Sequence, residues 1–189
     1  MRTTIAGLTL LAMLISLSGC GGGSLTRAFL REGASLGHIQ TVVVLPLEDL
    51  GGGGGAAQRT REIIMTQVLT ARLFDVVDKG RVDSVLRDEV IEPGTPLDAP
   101  ALRRLGQRLG AQGFIVGSVE QGAETRGNAS YPVINLTLRL LDAETGTLLW
   151  QATGRGSGYS VLDRLFGFAP KNQFEVTLHL LNRMLMSIR

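Results

Sequence analysis

The sequence predicts an α/β fold: a single mixed β-sheet flanked by helices, in the order β-α-β-α-α-β-β-β-α. Three observations carry this. Thr41-Val42-Val43-Val44-Leu45-Pro46-Leu47 is apolar at nearly every position, which suits a central strand covered on both faces. A helical pattern follows and leads to a second strand-like run, Phe74-Asp75-Val76-Val77-Asp78, so strand, helix and strand fit within about 40 residues, the span of a parallel crossover. Between residues 134 and 152 the pattern changes to strict alternation around a turn, the mark of an antiparallel hairpin. Parallel and antiparallel pairs in one chain make the sheet mixed.

The elements follow in order. From Ala57 to Arg72, Ile64, Val68 and Ala71 recur at helical spacing. Gly80 to Val90 reads as a helix with Val82, Val85 and Leu86 on one face, ended by Pro93, Gly94 and Pro96. Asp98 is placed to cap the next helix, with Pro100 tolerated in its first turn. Leu102, Leu105 and Leu109 form that helix's buried stripe, and Gly110 stops it. Phe114 to Val119 is the third strand. In the hairpin, Ile134, Leu136, Leu138 and Leu140 share one face while Asn135, Thr137 and Arg139 share the other; Asp142 to Gly146 turns, and Leu148 to Ala152 returns. The last helix runs from Asn172 to Ile188. Its apolar residues Phe174, Val176, Leu178, Leu180, Leu181, Met184, Leu185 and Ile188 cover roughly 200° of surface, about twice the arc that one sheet requires. Two readings fit that width: a deep groove between the sheet and another helix, or a second partner such as a neighbouring copy.

Ahead of the fold stands a different kind of segment. Arg2 precedes an apolar run from Ile5 to Leu17, then Ser18, Gly19 and Cys20, the only cysteine of the chain. A basic end, a short apolar stretch, small residues and a cysteine make a secretory signal with a lipoprotein cleavage site. The run is short for a ~30 Å hydrocarbon core, and a buried core cysteine does not suit a position followed at once by Gly21-Gly22-Gly23-Ser24. The sequence therefore divides into a signal peptide (1–19), a flexible tether from a lipidated Cys20 (20–37) and one α/β domain (38–189). Each buried acyl CH₂ contributes ~0.8 kcal/mol, so two or three palmitate-length chains hold firmly.

Composition excludes several classes. Lys and Arg number 19 against 17 Asp and Glu, and no basic cluster interleaved with aromatics appears, so no nucleic-acid surface is expected. With Cys20 acylated no thiol remains for a disulfide or a thiolate metal site. Two histidines, His38 and His179, make a zinc centre hard to assemble. Neither a cofactor nor a metal is expected.

Four segments resemble one family. Val42 to Leu47 looks like its opening strand, and Phe74 to Asp78 with Val82 to Glu89 like its second strand and helix. Leu109-Gly110-Ala111-Gln112-Gly113-Phe114-Ile115-Val116-Gly117-Ser118 is similar to its glycine-alanine-acid stretch, with Gln112 at the acidic or asparagine position. Asp142-Ala143-Glu144-Thr145-Gly146-Thr147-Leu148-Leu149-Trp150 is similar to its D-x-x-TG-x-x-LW hairpin. These span most of residues 40 to 155, in order, behind a lipobox. They resemble the CsgG/PelC/LpoB-like superfamily of bacterial periplasmic lipoproteins. The resemblance implies a non-enzymatic lipoprotein on the periplasmic face of the outer membrane, where Gly21 after the cysteine also points.

Within that family, physics separates the members. A CsgG-like protomer donates membrane-spanning hairpins, and a spanning strand needs ~9–11 alternating residues; neither Gln121 to Ser130 nor Ser157 to Lys171 provides them. A 17-residue tether spans about 60 Å fully drawn out and about 20–25 Å as a coil, which favours work near the anchoring membrane. A PelC-like role follows by elimination: a homo-oligomeric ring that assists export, such as exopolysaccharide secretion. The alternative is an LpoB-like regulator that binds a peptidoglycan synthase, so other envelope export or cell-wall proteins are the expected partners. Tyr159, Val161, Leu162, Leu165, Phe166 and Phe168 lie on a glycine-punctuated stretch; they read as a contact with membrane or partner, or as folding back on the core.

Other motifs carry less. Gly51, Gly53 and Ala56 match a dinucleotide G-x-G-x-x-A pattern that any glycine run satisfies, with Glu48 and Asp49 at its mouth to repel phosphate. Ser160, Asp163 and His179 have no triad spacing and no nucleophile elbow. His179, beside Glu175 and Arg183, reads as part of a solvated face.

Overall fold

Among the described residues seven strands form one open mixed sheet in the order β1-β7-β6-β5-β2-β4, with β3 paired to β5 off that path. They are β1 (Ser24–Leu30), β2 (Thr41–Val44), β3 (Glu48–Asp49), β4 (Asp75–Val76), β5 (Gly113–Arg126), β6 (Ala129–Asp142) and β7 (Leu148–Ser157). Four helices accompany them: α1 (Ala56–Thr70), α2 (Lys79–Asp88), α3 (Ala99–Leu109) and α4 (Gln173–Leu185). The computed structural model describes residues 24–33, 35–51, 55–92, 94–159 and 169–188.

The expected α/β class and mixed sheet are both present. β2 runs parallel to β4 and β5, and β5, β6, β7 and β1 are successively antiparallel. β2 is apolar from Val42 to Val44 because it lies between two cores. On one face Val42 and Val44 join Ile64, Ile134, Leu138, Trp150, Leu180 and Met184 beneath α1 and α4. On the other, Val43 and Leu45 join Val82, Leu86, Leu102, Leu105 and Phe114 beneath α2 and α3. The predicted caps are also in place: the Asp98 carboxylate accepts from the Ala101 amide at 2.8 Å, and Gly110 turns left-handed at φ 70°.

Two expectations are corrected. The segment read as flexible tether contains β1, whose seven residues pair antiparallel with β7 from Ser24↔Gly156 to Leu30↔Trp150. Without it β7 would expose a ten-residue edge, and pairing satisfies that row of amides and carbonyls. With β1 and the two-residue β3 added, the order of elements gains two strands. The third strand does not stop at Val119 but continues to Arg126, and its partner begins at Ala129; the outer half of this hairpin is held by its backbone ladder rather than by burial. The last helix buries Val176, Thr177, Leu180, Leu181, Met184 and Leu185, while Phe174 remains exposed, so the broad apolar arc is only partly absorbed by the fold.

Glycines on β7 set how closely α4 approaches. A Cβ on Gly154 would fall 2.7 Å from Leu180 Cδ1, and one on Gly156 2.9 Å from Val176 Cγ1. The helix therefore rests on bare backbone at both positions.

A guanidinium is buried in this frame. Arg61 of α1 is 2% exposed; its Nε donates to the Val44 carbonyl at 2.8 Å and its Nη1 pairs with Asp83 at 2.6 Å. Nη2 has no partner among the described residues. This guanidinium ties the end of β2 to α1 and α2. Asp83→Asn removes its counter-charge, and we expect a loss of about 3 kcal/mol in unfolding free energy, the low end for breaking a buried pair because Asp83 is partly exposed. Urea titration checks the value, and Arg61→Met with Asp83→Leu should recover most of it.

Candidate functional site

Strand register brings Tyr159, the one predicted contact residue among the described residues, to one end of the sheet. β1 starts there opposite Gly156, Val133 pairs with Ser157, and the β5–β6 hairpin turns between Arg126 and Ala129. The Gly158 amide donates to the Pro132 carbonyl at 2.8 Å, carrying the chain past β6. Tyr159 then meets Tyr131 edge to face, with ring centroids 5.1 Å apart. The Arg126 guanidinium lies 4.5 Å over the Tyr159 ring, an attraction of roughly 0.5–1 kcal/mol at an exposed site. Arg126 also pairs with Glu124 at 3.1 Å, and Glu124 reaches Arg155 at 3.4 Å.

The start of α4 belongs to the same end, since Val176 sits against Gly156. Asn172 caps the helix through a reciprocal pair: its side chain accepts from the Glu175 amide, and the Glu175 carboxylate accepts from the Asn172 amide, both at 3.0 Å. Phe174 in that first turn is 57% exposed. Two tyrosines with a guanidinium, an exposed phenylalanine and the first residue of β1 thus share one end. Cys20 precedes Ser24 by four positions, a lead of at most about 14 Å. Of the predicted contact residues, Tyr159 is in this cluster; Leu162, Leu165, Phe166, Phe168 and Cys20 itself lie outside the described residues.

A second polar centre is not apparent from the sequence. Asp142 closes the β6–β7 turn, its Oδ1 accepting from the Glu144 amide, the Thr145 amide and the Thr145 hydroxyl at 2.8–3.0 Å. Its Oδ2 lies 2.7 Å from His38 Nε2, while His38 Nδ1 lies 2.8 Å from the Ser35 carbonyl. Both histidine partners are acceptors, so the doubly protonated ring fits best. The bond to Asp142 accordingly raises the His38 pKa above its ordinary value. Burial pushes the Asp142 carboxyl up, but bonds from His38, Thr145 and Glu144 outweigh it and hold the carboxyl below its ordinary value. The two residues are 104 positions apart, and the turn aspartate is the only sequence signal. Nearby, the Gln112 side-chain oxygen accepts from the amides of Thr41 and Gln40 at 2.9 and 3.2 Å, so the side chain holds the entry of β2.

These polar groups clamp the turn and the entry of β2. Among the described residues no group of three or more His, Cys, Asp or Glu could hold a metal, and no helix is long and apolar enough to cross a membrane. β3 and its following loop separate β2 from the glycine run, and the Asp49 carboxylate is used by the Gly51 amide at 3.0 Å. That is not the tight strand-to-helix turn of a dinucleotide site. His179 lies on α4 at an exposed position.

No family model matches the chain, and no curated protein matches it. Solved structures do. The PelC dodecamer from Paraburkholderia phytofirmans is 19% identical, with a TM-score of 0.60 over 86% of this chain and 94% of that one. Lipoprotein GNA1162 from Neisseria meningitidis is 16% identical, with a TM-score of 0.52 over 68% of this chain and 90% of that one. The LpoB C-terminal domain from Salmonella enterica is 17% identical, with a TM-score of 0.45 over 80% and 94%. The chain shares the fold of PelC and GNA1162, as the resemblance in its motifs implies.

The His38–Asp142 pair yields a pH prediction. A raised histidine pKa contributes stability that is complete below the unfolded value near 6.5 and is lost as pH rises through the folded value. The lowered Asp142 pKa contributes stability that is lost as pH falls through it. Wild type should exceed His38→Gln in unfolding free energy at about pH 6, by about 1 kcal/mol or less because His38 is half exposed, and the gap should close by about pH 9. Denaturant titrations of both proteins across that range check it.

Proposed function

We propose that this chain is a non-enzymatic accessory lipoprotein of the bacterial envelope, anchored to the outer membrane through an acylated Cys20. In this reading it assembles into a closed ring of identical copies that assists export of a polymer such as an exopolysaccharide. The observation that carries the reading is the shared fold with PelC, described as a dodecamer, over 94% of that chain. The position of β1 supports it. Because the sheet begins four residues after Cys20, the body is held within about 14 Å of the lipid. A regulator that reaches across the periplasm to a synthase needs a longer lead.

The proposed contact residues belong to the same reading. The end bearing Ser24, Tyr131, Tyr159 and Arg126 faces the bilayer, with Leu162, Leu165, Phe166 and Phe168 adding apolar groups there. Tyrosine rings and a guanidinium suit the headgroup layer, where an apolar body and a polar tip are both satisfied. The role is positional: the anchor sets the distance, and repetition around the ring forms an opening.

Two measurements test this. Cys20→Ala, expressed in the native host, should leave the membrane pellet for the soluble periplasmic fraction with its thermal midpoint unchanged; a variant still in the pellet removes the anchor. Lipidated wild type in detergent should give a single large mass by light scattering. A monomer at every concentration removes the ring.

A further inference from the structure

The core beneath α2 and α3 is open on one side. Ile91, Leu97, Val116 and Leu141 pack against it while only partly buried, and all four line a single groove of about 300 Å³. Leu45 and Pro46, which follow β2 directly, line it from the sheet, and the connection between α2 and α3 walls one side. Its volume is at the small end for a ligand pocket. Apolar surface left in water costs roughly 25 cal/mol per Å², so an aliphatic group seated here is favoured.

The charges around this floor are segregated. Among the described residues the charged groups lining it are Glu48, Glu92 and Arg139, and none of the three has an ion pair or a side-chain hydrogen bond there. The two carboxylates belong to the side of the connection. A Cβ on Gly94 would fall 3.9 Å from Glu48 Cβ, and the Glu92 carbonyl accepts from the Thr95 amide at 3.2 Å. Arg139 is on β6, directly opposite Val116 of β5, whereas Glu48 is in register with Ser118 of β5. Paired residues and residues two apart share one face of a sheet, so Glu48, Val116 and Arg139 project to the same side. Two strand spacings and a two-residue offset put Glu48 and Arg139 about 12 Å apart at Cα.

An occupant that matches these features carries an ammonium at one end, a carboxylate at the other and aliphatic bulk between. A fatty acid leaves Glu48 and Glu92 unmatched, and a sugar leaves the apolar floor uncovered. An extended chain advances about 3.3–3.6 Å per residue, so three residues set free ends about 10 Å apart, within reach of both side chains. We infer that the groove binds a short aliphatic peptide with free termini, its ammonium toward Glu48 and Glu92 and its carboxylate toward Arg139. Its side chains rest on Ile91, Leu97 and Val116. The floor supplies the affinity and the charges fix the direction. Binding here is independent of ring assembly.

The test is calorimetric titration of the full lipidated chain in nanodiscs with trileucine, which should bind once per chain. Triglycine should bind at least tenfold more weakly, for want of side chains. Amidating the trileucine carboxyl end should cost about tenfold in wild type and nothing further in Arg139→Gln. Acetylating its amino end should cost about tenfold in wild type and nothing further in Glu48→Gln combined with Glu92→Gln. No binding of trileucine at about 1 mM overturns the inference. So does equal binding of the doubly blocked peptide, which marks the groove as a seat for an internal segment of a larger protein. Penalties for blocking that persist undiminished in the matching variants overturn it as well. Light scattering of the lipidated chain reads the ring separately, so failure of either reading leaves the other standing.

Discussion

The seven backbone pairs between β1 and β7 constrain everything else in this molecule. They cover the edge that β7 would otherwise expose, and they extend the sheet under α4, which can lie close only because Gly154 and Gly156 carry no side chain. They also fix where the chain enters. The first strand begins at Ser24, four positions after Cys20.

The sheet is covered unequally, and this accounts for its mixed character. α1 and α4 cover one face, where Ile134, Leu136, Leu138 and Leu140 are all buried. α2 and α3 cover only the β2 side of the other face. Beyond them Ser118, Asn135, Thr137 and Thr153 look into an open trough; there Asn135 donates to Glu120 at 2.8 Å, and the hydroxyls of Thr137 and Thr153 lie 3.0 Å apart. Antiparallel strands with one solvated face alternate cleanly, whereas β2, buried on both sides, does not alternate at all.

That contrast explains what is legible in the sequence. β2, the inner hairpin, the Asp98 cap and the Gly110 stop are written in local patterns, and each is where those patterns place it. β1 is not local: its partners lie about 120 or more positions away, and Leu25-Thr26-Arg27-Ala28-Phe29-Leu30 lacks the alternation that marks a half-buried strand. The outer arms of β5 and β6 escape for a related reason, since backbone pairing needs no apolar pattern. Arg61 is invisible because a charged residue on an amphipathic helix reads as solvated until a carbonyl and a carboxylate are found beside it. The Tyr159 region is recognisable as a cluster of large side chains, but its guanidinium comes from Arg126, which only the register could supply.

Polar groups that could serve chemistry in another fold are occupied here with holding the chain. Asp142 commits one oxygen to three donors of its own turn and the other to His38. Asp83 is committed to Arg61, and Gln112 to the entry of β2. Arg27, Glu48 and Glu92, which have no ion pair among the described residues, sit instead on rims beside apolar side chains. Charge on a rim steers and registers surfaces rather than bonds.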